Sequence, residues 1–255
     1  MRILDSIQEG DCLELLTELP EHSVDLVYMD PPFATGRRQS GRDGNAYEDS
    51  WPSIEEWVAF MRPRLELAVR ALATTGSILL HCDWRTSHHL RLMLDEILGA
   101  EQFQNHLIWQ YGLGGSSPRR FARKHDDILY YTVSGTWFFD PPMVPATSQR
   151  MRGMLKKATD VLDIPAINNM AHERSGWPTQ KPLALLELLI RACCPPQGVV
   201  LDPMCGSGTT LVAAANTGRH FIGIDRLAEA AAIARDRIMS ERIYPDGRSS
   251  DLESA

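Results

Sequence analysis

The chain predicts an α/β fold built on a mostly parallel, twisted sheet with helices on both faces. Three observations carry the prediction. Apolar strand-like runs alternate with segments of helical periodicity along most of the chain. One such run, VDLVYM, ends in the rigid Asp30-Pro31-Pro32-Phe33. Another, VVL, ends in the glycine-rich Asp202-Pro203-Met204-Cys205-Gly206-Ser207-Gly208-Thr209-Thr210. Strand ends followed by turns of this kind are where α/β proteins build their sites.

Taken in order, residues 12–19 read as a short helix and 24–29 as a strand. Residues 53–73 are helical, but Pro63 lacks an N–H and its ring crowds the preceding turn, so a break or kink is expected there. GSILLHC at 76–82 reads as a strand, followed by a helix at 86–98 and strand-like runs at 105–111, 127–133 and 136–139. Beyond them, helices at 183–194, 209–217 and 227–241 alternate with strands at 199–202 and 220–225. The stretch 140–180 breaks this rhythm: it holds five prolines, few apolar runs and several bases, and reads as an insertion or small recognition region. The polar tail from Pro245 is expected to fray.

With 255 residues and 44% hydrophobic content, the chain can bury one full core, or one core with a small insert. No apolar run approaches the ~18 residues needed to span a bilayer. The N-terminal MRILDSIQEGD brings an acid by position 5, unlike a signal peptide. Cys12, Cys82, Cys193, Cys194 and Cys205 are odd in number and include an adjacent pair, which argues against a disulfide framework and for a cytoplasmic location. His81-Cys82 and His88-His89 fit no usual ligand spacing, so no metal is expected.

The formal net charge of −7 is unfavourable for contact with a polyanion, but its distribution is uneven. From Tyr111 to Lys157 eight bases face three acids, a net of +5, which leaves −12 for the rest of the chain. A basic insert on an acidic body is compatible with DNA, and equally with a solvated loop.

VVLDPMCGSGTTLVAAANTGRHFIGID has the form strand, glycine turn, helix, strand, acid. Gly206 and Gly208 permit backbone conformations and close approach that a side chain would block. Thr209 and Thr210 are placed to cap the following helix. Asp225 ends the next strand, 17 residues after Gly208, about where nucleotide-binding folds set an acid against ribose hydroxyls. The absence of GK[ST] disfavours ATP or GTP. Dinucleotide oxidoreductases are the general competitor, although Leu211 stands where their third glycine would fall. The first motif sets a carboxylate and an aromatic ring on a stiff Pro-Pro platform. Its near-copy Asp140-Pro141-Pro142-Met143 lacks the aromatic and lies in the irregular stretch, so it reads as structural.

Together, DPPF and LDPMCGSGTT resemble the DNA amino-methyltransferases, which move a methyl group from S-adenosylmethionine to the exocyclic nitrogen of adenine or cytosine. The resemblance covers nearly all of residues 4–240. It implies a Rossmann-like S-adenosylmethionine-dependent methyltransferase fold in circularly permuted order. Residues 1–111 would form the catalytic half, 112–176 a target-recognition insert, 177–241 the cofactor half and 242–255 a flexible tail.

By the same match, Asp202, Cys205, Gly206, Ser207 and Gly208 would wrap the methionine portion of S-adenosylmethionine, and Asp225 would hold its ribose, with Thr209 also among the cofactor-binding residues. Met204 stands where an aromatic is usual. TQKPLALLELLIRAC resembles the preceding family segment, so Lys181, with Thr179 and Gln180, would meet the cofactor's carboxylate. GDCLELL would bring Asp11 and Cys12 near its adenine.

An exocyclic amine on a base is a poor nucleophile, because its lone pair is delocalised into the ring. Asp30 and the Pro31 carbonyl would accept its hydrogens, Pro31 and Pro32 would hold these acceptors rigid, and Phe33 would stack on the extruded base. GSILLHCDW resembles the strand ending beside the target base, which makes His81, Asp83 and Trp84 candidate pocket residues, although a His at a strand end is more often a satisfied core group. Arg119, Arg120, Arg123 and Lys124 would meet phosphates.

Within the family an Asp before Pro-Pro is usual for N6-adenine and a Ser for N4-cytosine, so Asp30 favours adenine. The implied partners are double-stranded DNA, a second copy in a homodimer and a cognate restriction endonuclease, with no membrane. Two other readings stand beside this one: a methyltransferase acting on RNA or on a glutamine side chain, and a nucleic-acid-binding module that has lost activity.

Overall fold

The computed structural model describes residues 4–41, 45–112, 116–146, 149–168, 171 and 173–243. The expected frayed tail from Pro245 lies outside them. The first half runs β1 (Ser6–Glu9), α1 (Cys12–Leu15), β2 (Val24–Met29), β3 (Arg37–Ser40), β4 (Ala46–Asp49), α2 (Ile54–Ala71), β5 (Leu72–Cys82) and α3 (Ser87–Leu98). Then come β6 (Phe103–Gln110), β7 (His125–Thr132), β8 (Met143–Pro145), β9 (Leu155–Lys157) and β10 (Val161–Asp163). The last part alternates α4 (Leu183–Cys193), β11 (Val199–Asp202), α5 (Thr209–Asn216), β12 (His220–Asp225) and α6 (Ala228–Ile243).

Eight strands form the main sheet in the order β1-β12-β11-β2-β5-β7-β6-β10. All neighbours are parallel except β7, which runs antiparallel to both β5 and β6. Period-two alternation sorts the strand residues onto two faces. Val27, Met29, Ile78, Leu80, Leu129 and Tyr131 pack with Trp57, Met61 and Leu65 of α2 and Leu90 and Met93 of α3. Leu26, Tyr28, Leu79, Ile128, Tyr130 and Val200 pack with Leu186 and Ile190 of α4 and Leu211 and Val212 of α5. The central strands β2, β5 and β11 are buried on both sides, as a sheet covered on both faces requires.

The expectation of a break at Pro63 and that of a strand at 136–139 are corrected. Helix α2 runs through Pro63 without interruption. The carbonyl that Pro63 leaves without its N–H partner belongs to Ala59, which is exposed, while Trp57, Met61, Leu65 and Ala68 bury as one continuous stripe across the proline. Burial on both sides of Pro63 outweighs the ~3 kcal/mol a mid-helix proline costs. Residues 136–139 form no strand. Both edges of β7 are already occupied, and the chain instead folds back so that the Asp140 N–H donates to the Ala192 carbonyl at 2.8 Å. The stretch 112–176 contributes β7 and β10 to the main sheet, so only part of it stands away from the body. Among the described residues no helix is long and apolar enough to cross a membrane.

Since α2 tolerates Pro63 only through packing, Pro63→Ala should raise the unfolding free energy by about 1–3 kcal/mol, net of the unfolded-state entropy that proline removes. Urea denaturation reads this directly, and an unchanged or lower midpoint would show that Pro63 carries no such cost.

Candidate active site

β2 and β11 pair in parallel, with Val200 opposite Leu26 and Leu201 opposite Val27. From β2 the chain leaves through α2 to β5 on one side of the sheet order, and from β11 through α5 to β12 on the other. A crevice opens where such connections diverge. One cavity there is lined by Asp30, Pro31, Pro32 and Phe33 and also by Asp202, Met204, Cys205, Gly206, Ser207 and Asp225. The two motifs therefore share one space.

The glycine turn shows why it needs its residues. The Cys205 N–H donates to the Ile224 carbonyl at 2.9 Å and the Gly206 N–H to Asp225 Oδ2 at 2.8 Å, which ties the turn to the end of β12. Gly208 sits at φ 77° as the residue before α5, where a Cβ would lie 2.7 Å from the Ala234 Cβ of α6. Only glycine lets α6 close on the turn. Thr209 and Thr210 do not cap α5, because that place is held by left-handed Gly208 without a side-chain bond. Thr209 Oγ1 instead accepts from Arg237 Nη1 at 3.0 Å, and the Thr210 hydroxyl bonds Asp202. Leu211, which interrupts the dinucleotide pattern, occupies space that a Cβ on Gly223 would enter at 2.4 Å. Gly223 thus supplies the helix–strand closeness a third glycine would give.

Around this turn Asp202 is buried and Asp225 half-buried. Burial pushes the Asp202 carboxyl up to about 7, against hydrogen bonds from Thr210 and the Met204 N–H. Burial also raises Asp225, although the Leu227 and Gly206 N–H groups oppose it. At the other end of the cavity, Asp11 caps α1 through the Leu13 N–H at 2.9 Å and takes both of its oxygens to Arg64 Nη2 at 2.8 Å. Burial there works upward, but the Leu13 N–H and Arg64 hold Asp11 below its usual range. Cys12 beside it is pushed up to about 11 by burial. Arg64 itself is buried and stacks 3.6 Å over the Phe60 ring.

At the Asp-Pro-Pro-Phe motif, Trp57 Nε1 donates to the Pro32 carbonyl at 2.8 Å, and Asp49 accepts from the Ala34 and Thr35 N–H groups. The motif is thereby pinned on both sides. Lys181 Nζ lies 2.5 Å from Asp30 Oδ2, while Asp30 Oδ1 is buried without a partner. Lys181 thus meets this motif as well as facing the cavity. Of its neighbours, Thr179 lines the cavity with its hydroxyl 3.3 Å from the Tyr47 hydroxyl. Gln180 also lines the cavity, and its amide is held by Ser175 and the Glu173 carbonyl, closing the 173–180 loop on itself.

The three candidates at the end of β5 separate. His81 is fully buried and lines neither cavity. It stacks on Phe33 at 5.8 Å, shares a 2.7 Å hydrogen bond with the Tyr28 hydroxyl, and lies 3.2 Å from Asp126. It is a backing for Phe33, not a wall of the pocket, because the last residues of β5 are buried between β2 and β7. Asp83 and Trp84 line a second cleft with Tyr111, Arg120, Phe121 and Arg123. Asp83 is paired with Arg85, and Trp84 carries the Arg123 guanidinium 3.4 Å over its ring. Arg119, Arg120 and Arg123 are exposed and Lys124 half-buried on the loop joining β6 to β7.

Sequence reasoning missed Arg64, Phe60, Tyr47 and Trp177, all of which line the shared cavity. Tyr47 stacks on Trp177 at 6.5 Å, and Trp177 Nε1 lies 3.1 Å from where a Cβ on Gly206 would stand. Only the aromatic content of 47 and 177 signalled them, since their partners are distant in the chain. An apolar and aromatic space bounded by a cation at Lys181 and acids at Asp202 and Asp225 fits a zwitterionic nucleoside such as S-adenosylmethionine.

A family model described as DNA methylase, for the N6 and N4 enzymes, matches residues 24–236. The type II methyltransferase M.ScaI of Streptomyces caespitosus is 28% identical, with 92% of this chain and 81% of that protein covered. M.HpaI of Haemophilus parainfluenzae, also a type II methyltransferase, is 29% identical over 91% of this chain and 73% of its own length. Among solved structures, the M1.HpyAVI–SAM complex aligns with a TM-score of 0.65 at 22% identity, covering 91% of this chain and 98% of that one. The cytosine-N4-specific PvuII DNA methyltransferase aligns at 0.68 with 21% identity, covering 91% and 85%. The fold is that of the S-adenosylmethionine-dependent DNA methyltransferases.

The buried Asp202 gives a pH signature. An unfolded aspartate titrates near 3.9, so the native state, with Asp202 near 7, holds its proton more tightly than the unfolded chain. Stability should therefore fall as pH rises from about 4 to about 7 and level off above that. Asp202→Asn, neutral throughout, should flatten that part of the profile in thermal unfolding; an identical slope in the variant would assign the effect to another group.

Proposed function

The chain belongs to the N6/N4 DNA methylase family of S-adenosylmethionine-dependent methyltransferases, and we propose that its target is the N6 amine of adenine extruded from double-stranded DNA. The observation that carries the reading is the divided state of the Asp30 carboxylate. One oxygen is held by Lys181 at 2.5 Å, and the other is buried without a partner beside the glycine turn. An orphaned buried acceptor is costly unless a ligand completes it, and an amine N–H would do so.

When bound, S-adenosylmethionine would supply an electrophilic methyl group, its sulfur keeping the pair of the broken carbon–sulfur bond as a neutral thioether. Asp202, Cys205, Gly206, Ser207, Gly208 and Thr209 would hold its methionine portion, with Asp225 at the ribose and Asp11 and Cys12 toward the adenine. Asp11 is fixed for this by Arg64, and Lys181 and Thr179 face the carboxylate end.

Asp30 Oδ1 and the Pro31 carbonyl accept the two hydrogens of the target amine. Two acceptors draw the nitrogen toward tetrahedral geometry and free its lone pair from the ring. As the nitrogen gains a fourth bond, positive charge develops beside the Asp30 carboxylate, which is already oriented and needs little rearrangement. The surplus proton leaves along the same hydrogen bond. Phe33 stacks on the base and His81 backs Phe33, so the ring plane is set before the base arrives. Asp30, in place of serine, supports adenine over cytosine. The loop bearing Arg119, Arg120, Arg123 and Lys124 meets the phosphates.

The test is to incubate the protein with labelled S-adenosylmethionine and unmethylated mixed-sequence DNA, digest the product and identify the nucleosides by mass spectrometry. N6-methyladenine is expected. N4-methylcytosine would overturn the choice of base, and labelled RNA or protein without labelled DNA would overturn the substrate class.

A further inference from the structure

We propose that Phe121 is a wedge that enters the duplex where the target base has left it and fills the gap while that base lies on Phe33. The inference rests on the DNA-methylation reading above.

Phe121 is 97% exposed, more than any other large apolar side chain among the described residues. A phenyl ring held wholly in water is an unfavourable arrangement that nothing in the packing of this chain explains. Its surroundings point to the occupant. Between Ser116 and Lys124 there is no acid, and Arg119, Arg120, Arg123 and Lys124 all lie within three residues of the ring. An apolar partner surface would meet four charges around one ring, whereas a duplex offers phosphates to the charges and a base step to the ring.

The loop is anchored at its root. The Tyr111 N–H donates to the Lys124 carbonyl at 2.9 Å, and the Arg123 guanidinium lies flat on Trp84. Contacts then run from that root to the base platform. The Tyr111 hydroxyl donates to Asp126 at 3.0 Å, Asp126 meets His81, and His81 stacks on Phe33. The root of the loop that carries Phe121 and the ring proposed to receive the base are thus joined by a short series of direct contacts. A base that reaches Phe33 must leave its stack, and a planar side chain presented at a fixed offset can replace the stacking lost. The arginines then draw the backbone onto the loop, and Phe121 keeps the opened step open.

The experiment uses duplex oligonucleotides carrying the sequence read from the methylated products, either fully paired or with the target base mispaired. A mispaired base is already loosely stacked, so a wedge matters less there. Phe121→Ala should reduce kcat/KM about ten- to hundredfold on paired duplex, recover most of that loss on the mispaired duplex, and leave S-adenosylmethionine affinity unchanged. Phe121→Trp, which keeps a flat ring, should stay within a few-fold of wild type on both. Equal activity of Phe121→Ala and wild type on paired duplex, or the same loss on both substrates, overturns the wedge while the methylation reading stands. Wild-type protein that methylates no DNA overturns that reading and the wedge with it.

Discussion

The parallel pairing of β2 with β11 is the constraint on which the site depends. It sets two strand ends side by side, and the connections beyond them diverge to opposite ends of the sheet order. Asp30 and Asp202, 172 positions apart in the chain, come to line one cavity. A slip of one residue between these strands would turn the apolar set of one of them, Leu26 of β2 or Val200 of β11, to the opposite face. The core that stabilises the sheet and the geometry that serves the chemistry are therefore fixed by the same register.

Electrostatics within the crevice follow from that placement. Asp11, Asp30, Asp202 and Asp225 all line it, and burial would raise such carboxyls if they were left alone. Asp11 is instead held low, against burial, by the Leu13 N–H and Arg64, whereas Asp202 rises to about 7. The site thus keeps carboxylates of different character within one space. Lys181, with its side chain only 9% exposed, meets Asp30 directly. A largely buried ion pair adds little net stability, because desolvation offsets attraction, so its value here lies in orientation. It fixes one oxygen of Asp30 and leaves the other without a partner, the one proposed to meet the target amine.

The strands at 24–29, 199–202 and 220–225, the glycine turn and the helix at 183–194 were legible because their signals are local: apolar runs, a stop at an acid, glycines at fixed offsets. Pro63 misled because the penalty of a proline is local while the stripe from Trp57 to Ala68 that overrides it is tertiary. Residues 136–139 looked like a strand, and only the sheet order shows that β7 had no free edge to offer. The partner of Asp30 is 151 residues away and the partner of Asp11 is 53, so neither could be seen in a window of sequence. His81, Asp83 and Trp84 are adjacent in sequence, yet one end of β5 divides them between a buried backing and a separate cleft.

The central claim is that Asp30 acts on the target amine and not on the cofactor. The most direct test is single-turnover methyl transfer by Asp30→Ala, with S-adenosylmethionine binding measured separately by calorimetry. Transfer should fall by about a thousandfold, the scale set by removal of one preorganised stabilising group, with cofactor affinity staying within about tenfold. Near-normal transfer, or a loss of cofactor binding that matches the loss of rate, would contradict the account.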